Sequence, residues 1–105
     1  MRVRVTGDAA SDLQDIKAFL SDQSVVVAER VLDQIANVIG RLKTFPRLGH
    51  PGVVDGTLER IVPRSPYVIV YRIDLGDRDE LVILRVYHAT QDRSGGCTWM
   101  ADPTH

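Results

Sequence analysis

The chain has 105 residues, 44% of them hydrophobic, so it is long enough for one modest core and too short for two. Its 13 Lys and Arg residues are offset by 14 Asp and Glu residues, which argues against a protein that holds nucleic acid through general positive charge. A single cysteine, Cys97, excludes an internal disulfide and no apolar run could span a bilayer, so we expect a cytoplasmic protein without membrane contact.

The first half of the chain predicts a short strand followed by two helices. Residues 2–6 alternate between polar and apolar side chains, which is typical of a half-buried strand. From about residue 8, apolar residues recur every three or four positions, first up to Leu20 and then from Ala28 to Leu42. Ser24 lies between these two stripes and is of a residue type that caps helix N-termini. The two helices therefore form a hairpin, with Asp12 predicted on its outer side.

The second half predicts a loop and then three strands. The loop at residues 45–56 holds two prolines and three glycines, which end the second helix. Strands are predicted at 58–62, 67–74 and 81–88, with a hairpin turn at 75–79. Because residues 90–105 show no periodicity, we predict one domain at 1–93 and a flexible C-terminal tail at 94–105.

This order of elements predicts an α+β fold, β-α-α-β-β-β, with the helical hairpin on one face of a mostly antiparallel sheet. We expect the second strand to run opposite to the first, because the hairpin returns the chain to the end of the sheet that it left. Strict alternation puts Leu84 and Val86 on the same, helix-facing side of the last strand. The residues predicted to form the core are Val31, Ile35, Val38, Leu42, Val68, Val70, Leu84 and Val86.

Arginine and tyrosine side chains within the strands are candidates for contacts with a macromolecular target. A strand fixes the direction of a side chain better than a loop does, and Arg with Tyr can hold phosphates and stack on bases. For any single Arg, the favoured alternative is that its stem lies over the sheet while its head reaches water or a carboxylate. The candidates are Arg60, Arg72, Arg85 and Tyr87.

Histidine is the residue type that titrates nearest to neutral pH, and His88 closes the last strand. On an apolar strand face, however, a histidine is more often a core residue that bonds to nearby backbone or carboxylate groups. The three histidines and the cysteine show no metal-ligand spacing, and the sequence has no P-loop and no GxGxxG motif. We therefore expect neither a metal nor a cofactor.

Three segments resemble the RelE/ParE superfamily of toxin–antitoxin toxins. They are SDLQDIKAFL in the first helix, FPRLGHPGVVDGTLERIVPRSPYVIVYRI after the second helix, and LVILRVYHATQDR at the last strand. The resemblance covers residues 1–93, nearly the whole chain, and implies the same β-α-α-β-β-β fold. Its most specific features are Pro46 with Gly49, Arg60, Pro66-Tyr67 with Tyr71-Arg72, and the Arg85-Val-Tyr-His88 ending.

The resemblance implies the toxin of a type II toxin–antitoxin system, which a cognate antitoxin neutralises in a heterotetramer or larger complex. The ending at His88 followed by Gln91-Asp92 looks more like ParE members, which poison DNA gyrase and are not nucleases. We therefore expect a growth-arresting gyrase inhibitor that acts by binding, without covalent chemistry of its own.

The main alternative is a RelE-like endoribonuclease that cleaves messenger RNA on the ribosome. Its catalytic candidates would be Glu59, Arg85, Tyr87 and His88, serving as base, phosphate clamp and acid. RNA-cleaving members are typically strongly basic, whereas this chain has only two lysines and a net charge of −1. A structural relative without toxicity is the third alternative.

Apolar residues of the helical hairpin are the candidates for contact with the antitoxin. In this superfamily the antitoxin lays an amphipathic, often helical, segment along the toxin. Val25, Val26 and Val27 are consecutive at a helix start, and on a 3.6-residue period they cannot all face one core. With Phe19 they would form the kind of apolar surface that marks interaction sites. The alternative is that one or two of them are exposed in isolation.

Overall fold

The computed structural model describes residues 1–89, in which two helices pack against a five-stranded sheet. The predicted α+β fold is confirmed, and a short strand is added inside the predicted loop. The predicted tail at 94–105 lies outside the described residues, as does the predicted domain from residue 90 onward. The elements are β1 (Arg2–Val5), α1 (Gly7–Gln23), α2 (Val25–Thr44), β2 (His50–Pro51), β3 (Leu58–Ile61), β4 (Tyr67–Asp74) and β5 (Glu80–His88).

The sheet has the strand order β1-β5-β4-β3-β2, in which β1 and β5 are parallel and all other neighbours are antiparallel. Two antiparallel steps separate β5 from β3, so β3 runs in the same direction as β1. Our expectation that these two strands oppose each other is therefore wrong. The strand that follows the helical hairpin and runs opposite to β1 is instead β2, which the sequence does not predict. The turn at residues 52–57 then reverses the chain once more before β3.

Each helix begins at a hydroxyl cap. Thr6 Oγ1 accepts a hydrogen bond from the Ala9 N–H at 3.1 Å, and Ser24 Oγ accepts one from the Val27 N–H at 3.2 Å. The predicted cap at Ser24 is confirmed, and this residue alone separates α1 from α2. Neither helix in residues 1–89 is long and apolar enough to cross a membrane.

The alternation of side chains along β5 is broken at Leu84. Val70 of β4 pairs with Arg85 and Tyr71 pairs with Ile83, so Leu84 has no partner in β4 and forms a β-bulge. The side chains after the bulge therefore exchange faces relative to a regular strand. The residues buried between the helices and the sheet are Ala9, Ile16, Val31, Ile35, Val38, Leu42, Val62, Tyr67, Ile69, Tyr71, Leu81, Ile83 and Val86.

Three residues predicted for this core lie outside it. Val68 and Val70 flank Ile69, which belongs to the core, so they point to the opposite face of the sheet, where they are also buried. Leu84 is only half-buried at the bulge. For these three residues the prediction is wrong, whereas Val86 and the four helix residues are confirmed.

Candidate functional site

A groove of about 490 Å³ lies between α1 and the second half of β5. It forms because β1 pairs with β5 only as far as Ile83, so that α1 lies beside β5 beyond that point. The groove brings together Arg85, Tyr87 and His88 with Phe19, a candidate for antitoxin contact. The residues that line it are Asp12, Asp15, Ile16, Phe19, Tyr67, Arg85, Val86, Tyr87 and His88.

Asp12 of α1 connects the helix to the edge of β5. Its Oδ2 accepts hydrogen bonds from Arg85 Nε at 2.7 Å and from the Val86 N–H at 2.9 Å, and its Oδ1 accepts one from Arg85 Nη2 at 3.1 Å. The hydrogen bond to this carboxylate raises the pKa of Arg85, so its charge is fixed. Only 15% of the Asp12 side chain is exposed, and its predicted outward orientation is therefore wrong.

The sequence carries a local signal for Asp12 that our prediction missed. Asp12 comes three residues after Ala9 and four before Ile16, and both of these are buried, so it borders the buried face of α1. No local pattern identifies its partner Arg85, which is 73 residues away. The bulge at Leu84 decides which way Arg85 points, and a run of apolar residues around it gives no sign of the bulge.

Replacing Asp12 with alanine is expected to destabilise the protein by about 1–3 kcal/mol, because the part-buried Val86 N–H loses its acceptor. The ion pair itself adds little, since 39% of the Arg85 side chain is exposed. Thermal unfolding and hydrogen exchange at the Val86 amide measure the effect. Asp15→Ala, on the exposed side of the same helix, should change stability by less than about 0.5 kcal/mol. Equal losses in both variants would contradict this role for Asp12.

His88 packs against a core tyrosine. The rings of His88 and Tyr67 lie edge to face, with centroids 5.3 Å apart and planes at 81°, and the two residues are partners in the β4–β5 register. Burial raises the pKa of Tyr67, so its hydroxyl stays protonated at neutral pH. This packing agrees with the interpretation of His88 as a core residue of the strand.

Glu59 and Arg60 lie on β3, away from the groove. The Glu59 side chain is buried, and the register puts Val70 between Glu59 and Arg85, with roughly 10 Å between their backbones. Arg60 pairs with Ile69 on the helix-facing side, and its Nε is buried without a hydrogen bond among residues 1–89. The groove thus holds three of the four residues that the ribonuclease alternative needs, and Glu59 is not among them.

Arg72 lies on the sheet face opposite the helices, because it alternates with Tyr71 and Ile73, which pack toward the helices. Its Nη1 forms a 3.2 Å ion pair with Asp74 Oδ2, and 38% and 51% of the two side chains are exposed. An exposed pair of this kind contributes little to stability. Arg72 can therefore exchange this partner for an anionic group of another molecule.

Tyr71 connects the loop after α2 to the sheet through hydrogen bonds. Its hydroxyl donates to the Pro46 carbonyl at 2.7 Å and accepts from the Gly49 N–H at 3.0 Å. Burial raises the pKa of Tyr71, while the hydrogen bond from Gly49 and the charges of Arg60 and Arg47 act in the opposite direction. Tyr71 thus joins Pro46 and Gly49, which lie 25 and 22 residues before it, into one structural unit.

The residues predicted to contact an antitoxin lie at the tip of the hairpin and beside it. The exposed fractions are 60% for Phe19, 60% for Val25, 65% for Val26 and 37% for Val27. The prediction that these residues stay exposed is confirmed. Phe19 lines the groove, and the three valines form the first turn of α2.

The charge of the groove favours a peptide over a nucleic acid. Asp12 and Asp15 supply two carboxylates against the single guanidinium of Arg85, so negative charge is in excess. Apolar side chains, Ile16 and Phe19 among them, line the same space. Such a surface suits an apolar segment that carries a basic residue, and it repels a phosphate backbone. Among residues 1–89, no group of His, Cys, Asp and Glu could hold a metal ion.

Comparison with known sequences yields a family and a curated relative. Residues 3–93 match the family described as the ParE toxin of the type II toxin-antitoxin system, parDE. A protein of Sinorhizobium fredii (strain NBRC 101917 / NGR234) named "Putative toxin Y4kP" is 36% identical over 90 residues. The alignment covers 86% of this chain and 90% of that protein.

Comparison with solved structures yields the same fold. The chromosomal ParDE toxin–antitoxin system from P. aeruginosa contains a chain that matches with a TM-score of 0.63 and 24% identity, over 84% of this chain and 95% of that chain. The YoeB/ParE toxin from Agrobacterium tumefaciens matches with a TM-score of 0.62 and 20% identity, over 84% of this chain and 98% of that chain. At these identities the two structures establish the fold.

Proposed function

The chain belongs to the ParE toxin family of type II toxin–antitoxin systems, and on that premise we propose that it inhibits DNA gyrase by binding and is neutralised by a cognate antitoxin. The family match over residues 3–93 is the observation that carries this proposal. The action takes place in the cytoplasm, where gyrase and the chromosome are found. The neutralised toxin forms a heterotetramer or larger complex with its antitoxin.

The placement of the candidate catalytic residues supports inhibition by binding over messenger RNA cleavage. Glu59 is buried on β3, while Arg85 turns toward α1 and is held by Asp12. A ribonuclease needs its base and its phosphate clamp around one scissile bond, with the clamp free to take the phosphate. The excess negative charge of the groove also opposes the approach of RNA.

For contact with gyrase, the sheet face opposite the helices is our candidate surface. By the β4–β5 register Arg72 and Tyr87 lie on this face, since Arg72 pairs with Val82 and Tyr87 with Val68. Tyr87, at the sheet edge, also lines the groove. Of the other two predicted contacts, Arg85 is engaged by Asp12 and Arg60 lies on the helix-facing side of β3. We therefore assign the target contact to Arg72 and Tyr87.

For the antitoxin, we assign the groove and the adjoining tip of the hairpin. Phe19 is 60% exposed in a groove with apolar side chains and excess negative charge. Val25 and Val26 extend the apolar surface at the start of α2. An amphipathic segment with apolar residues toward Phe19 and a basic residue toward Asp15 would complement this surface.

A supercoiling assay with purified gyrase tests the proposal. The full chain is expected to inhibit supercoiling, and Arg72→Ala should weaken the inhibition because the variant removes an exposed cation from the contact face. Arg78→Ala is the matched control, since Arg78 is an exposed arginine of the β4–β5 turn. If the full chain leaves supercoiling unchanged and induces no DNA breaks with gyrase, the gyrase target is wrong.

The same assay, with the antitoxin from the neighbouring open reading frame added, tests neutralisation. Antitoxin should restore supercoiling with the parent chain, whereas Phe19→Ser should keep inhibiting gyrase in its presence. Ala18→Ser, at the adjacent exposed position of α1, should be neutralised like the parent. Equal neutralisation of both variants would place the antitoxin elsewhere on the toxin.

The ribonuclease alternative is tested in cells by primer extension on translated messages during a brief induction. A ribosome-dependent nuclease would leave cuts at fixed codon positions within minutes, and a gyrase inhibitor would leave none. If cells grow normally while the chain is induced without its antitoxin, the protein is a non-toxic relative.

A further inference from the structure

A second groove, of about 270 Å³, lies between the C-terminal half of α2 and the turn that joins β3 to β4. Its volume is below that of ordinary drug-sized pockets, which start at about 300 Å³, so its ligand would be a small group. The lining contains two guanidinium groups, two side-chain amides and no carboxylate. The residues are Gln34, Asn37, Val38, Arg41, Pro63 and Arg64.

The polar side chains of α2 share one flank of the helix. Gln34, Asn37 and Arg41 are spaced by three and four residues, which places them in one row along the helix. Arg64 faces this row from the turn. Within residues 1–89 neither Arg41 nor Arg64 forms an ion pair with a carboxylate, whereas Arg4, Arg72 and Arg85 each have one. Two uncompensated cations thus line one small concavity.

Arg64 occupies a backbone conformation that favours glycine. Its φ is 63°, and it is the only residue other than glycine with a positive φ among residues 1–89. The Ser65 N–H donates to the Val62 carbonyl at 3.2 Å, so Pro63 and Arg64 are the central residues of a turn with the positive φ at its second central position. Glycine adopts that conformation without strain, and an arginine there is held at a cost to the fold.

We propose that this groove is a binding site for a phosphate group. Arginines donate in pairs of hydrogen bonds to oxyanions, and here they approach from two different elements, with the amides of Gln34 and Asn37 as further donors. A planar carboxylate is satisfied by one guanidinium, whereas the oxygens of a phosphate accept from donors on several sides. Arg41 lines the groove from α2, and Arg64 lines it from the turn between β3 and β4.

Titration of the ¹⁵N-labelled full chain with inorganic phosphate, followed by NMR, tests this site. Amide shifts at Asn37, Arg41 and Arg64 should saturate with phosphate and stay unchanged with acetate at the same ionic strength. Arg41→Gln and Arg64→Gly should each weaken phosphate binding about tenfold or more, the usual effect of losing one charge-assisted hydrogen bond. Arg64→Gly should also raise the melting temperature, because glycine relieves the backbone strain.

Arg78→Gln is the matched control, since it removes a surface arginine far from this groove in sequence, in the β4–β5 turn, and should bind phosphate like the parent. Adenosine monophosphate and a short DNA duplex, used as separate probes, distinguish the source of the phosphate. Tighter binding of the monophosphate indicates a free nucleotide, and tighter binding of the duplex indicates a nucleic-acid backbone. Shifts that do not saturate, that acetate reproduces, or that persist in both groove variants would overturn the proposal.

Discussion

Replacing Ile83 with alanine is expected to destabilise the protein by about 2–5 kcal/mol, because Ile83 is fully buried beneath the helices and the change leaves a cavity. A loss of this size is a large share of the stability of a small domain. It should lower the melting temperature by roughly 10 °C or more, measured by circular dichroism at 222 nm.

Leu84→Ala is the control for this prediction, because it makes a similar truncation at the next position. Leu84 is half-buried at the bulge and does not belong to the core under the helices, so we expect a clearly smaller loss. If β5 were regular and kept Val86 beneath the helices, Leu84 would lie there in place of Ile83, and the order of the two variants would reverse. Equal or greater loss at Leu84 would therefore show that the register of β4 and β5 is wrong.

Gly49→Ala is expected to destabilise the protein by about 1–3 kcal/mol through overpacking. A Cβ atom at Gly49 would lie 2.6 Å from the Tyr71 hydroxyl and 2.7 Å from the Glu59 carbonyl oxygen, and the backbone of β3 cannot give way as a flexible side chain could. The substitution also disturbs the hydrogen bond from the Gly49 N–H to Tyr71. Chemical denaturation gives the change in the free energy of unfolding.

Gly40→Ala is the matched control for Gly49→Ala. Gly40 is exposed within α2, and a Cβ atom there would meet no atom within 4 Å. Because glycine is a poor helix former, this substitution should stabilise the protein by about 0.5–1 kcal/mol. The same glycine-to-alanine change is thus expected to have opposite signs at the two positions, and a loss at both would mean that crowding at Gly49 is not the cause.

The sequence predicts the features of this fold that depend on neighbours in the chain. Apolar spacing identifies both helices, and Ser24 as a cap fixes where α2 begins. The strand Tyr67–Asp74 is predicted at its observed bounds, because Pro66 precedes it and Gly76 follows closely behind it. Exposure of Val25 and Val26 also follows locally, since consecutive apolar residues cannot share one helix face.

The features that the sequence does not predict depend on distant pairs of residues. The bulge at Leu84 exists only relative to β4, and it lets Ile83 and Val86 both pack beneath the helices, which strict alternation would not allow. The groove requires α1 to lie beside β5, a consequence of the parallel pairing of β1 with β5. Sequence analysis therefore names Phe19, Arg85 and His88 as separate candidates without showing that they line one groove.

The pairing of the first strand with the last also determines when the protein can complete its fold during translation. Thr6 donates to the Leu84 carbonyl across 78 residues of sequence, so β1 has no strand partner until β5 has left the ribosome. The α1–α2 hairpin, whose contacts are local, can form far earlier. Since β5 supplies one wall of the groove, a nascent or truncated chain lacks the surface to which we assign the antitoxin. On our assignment of the antitoxin to this groove, the new chain becomes recognisable to its antitoxin only after β5 has been synthesised.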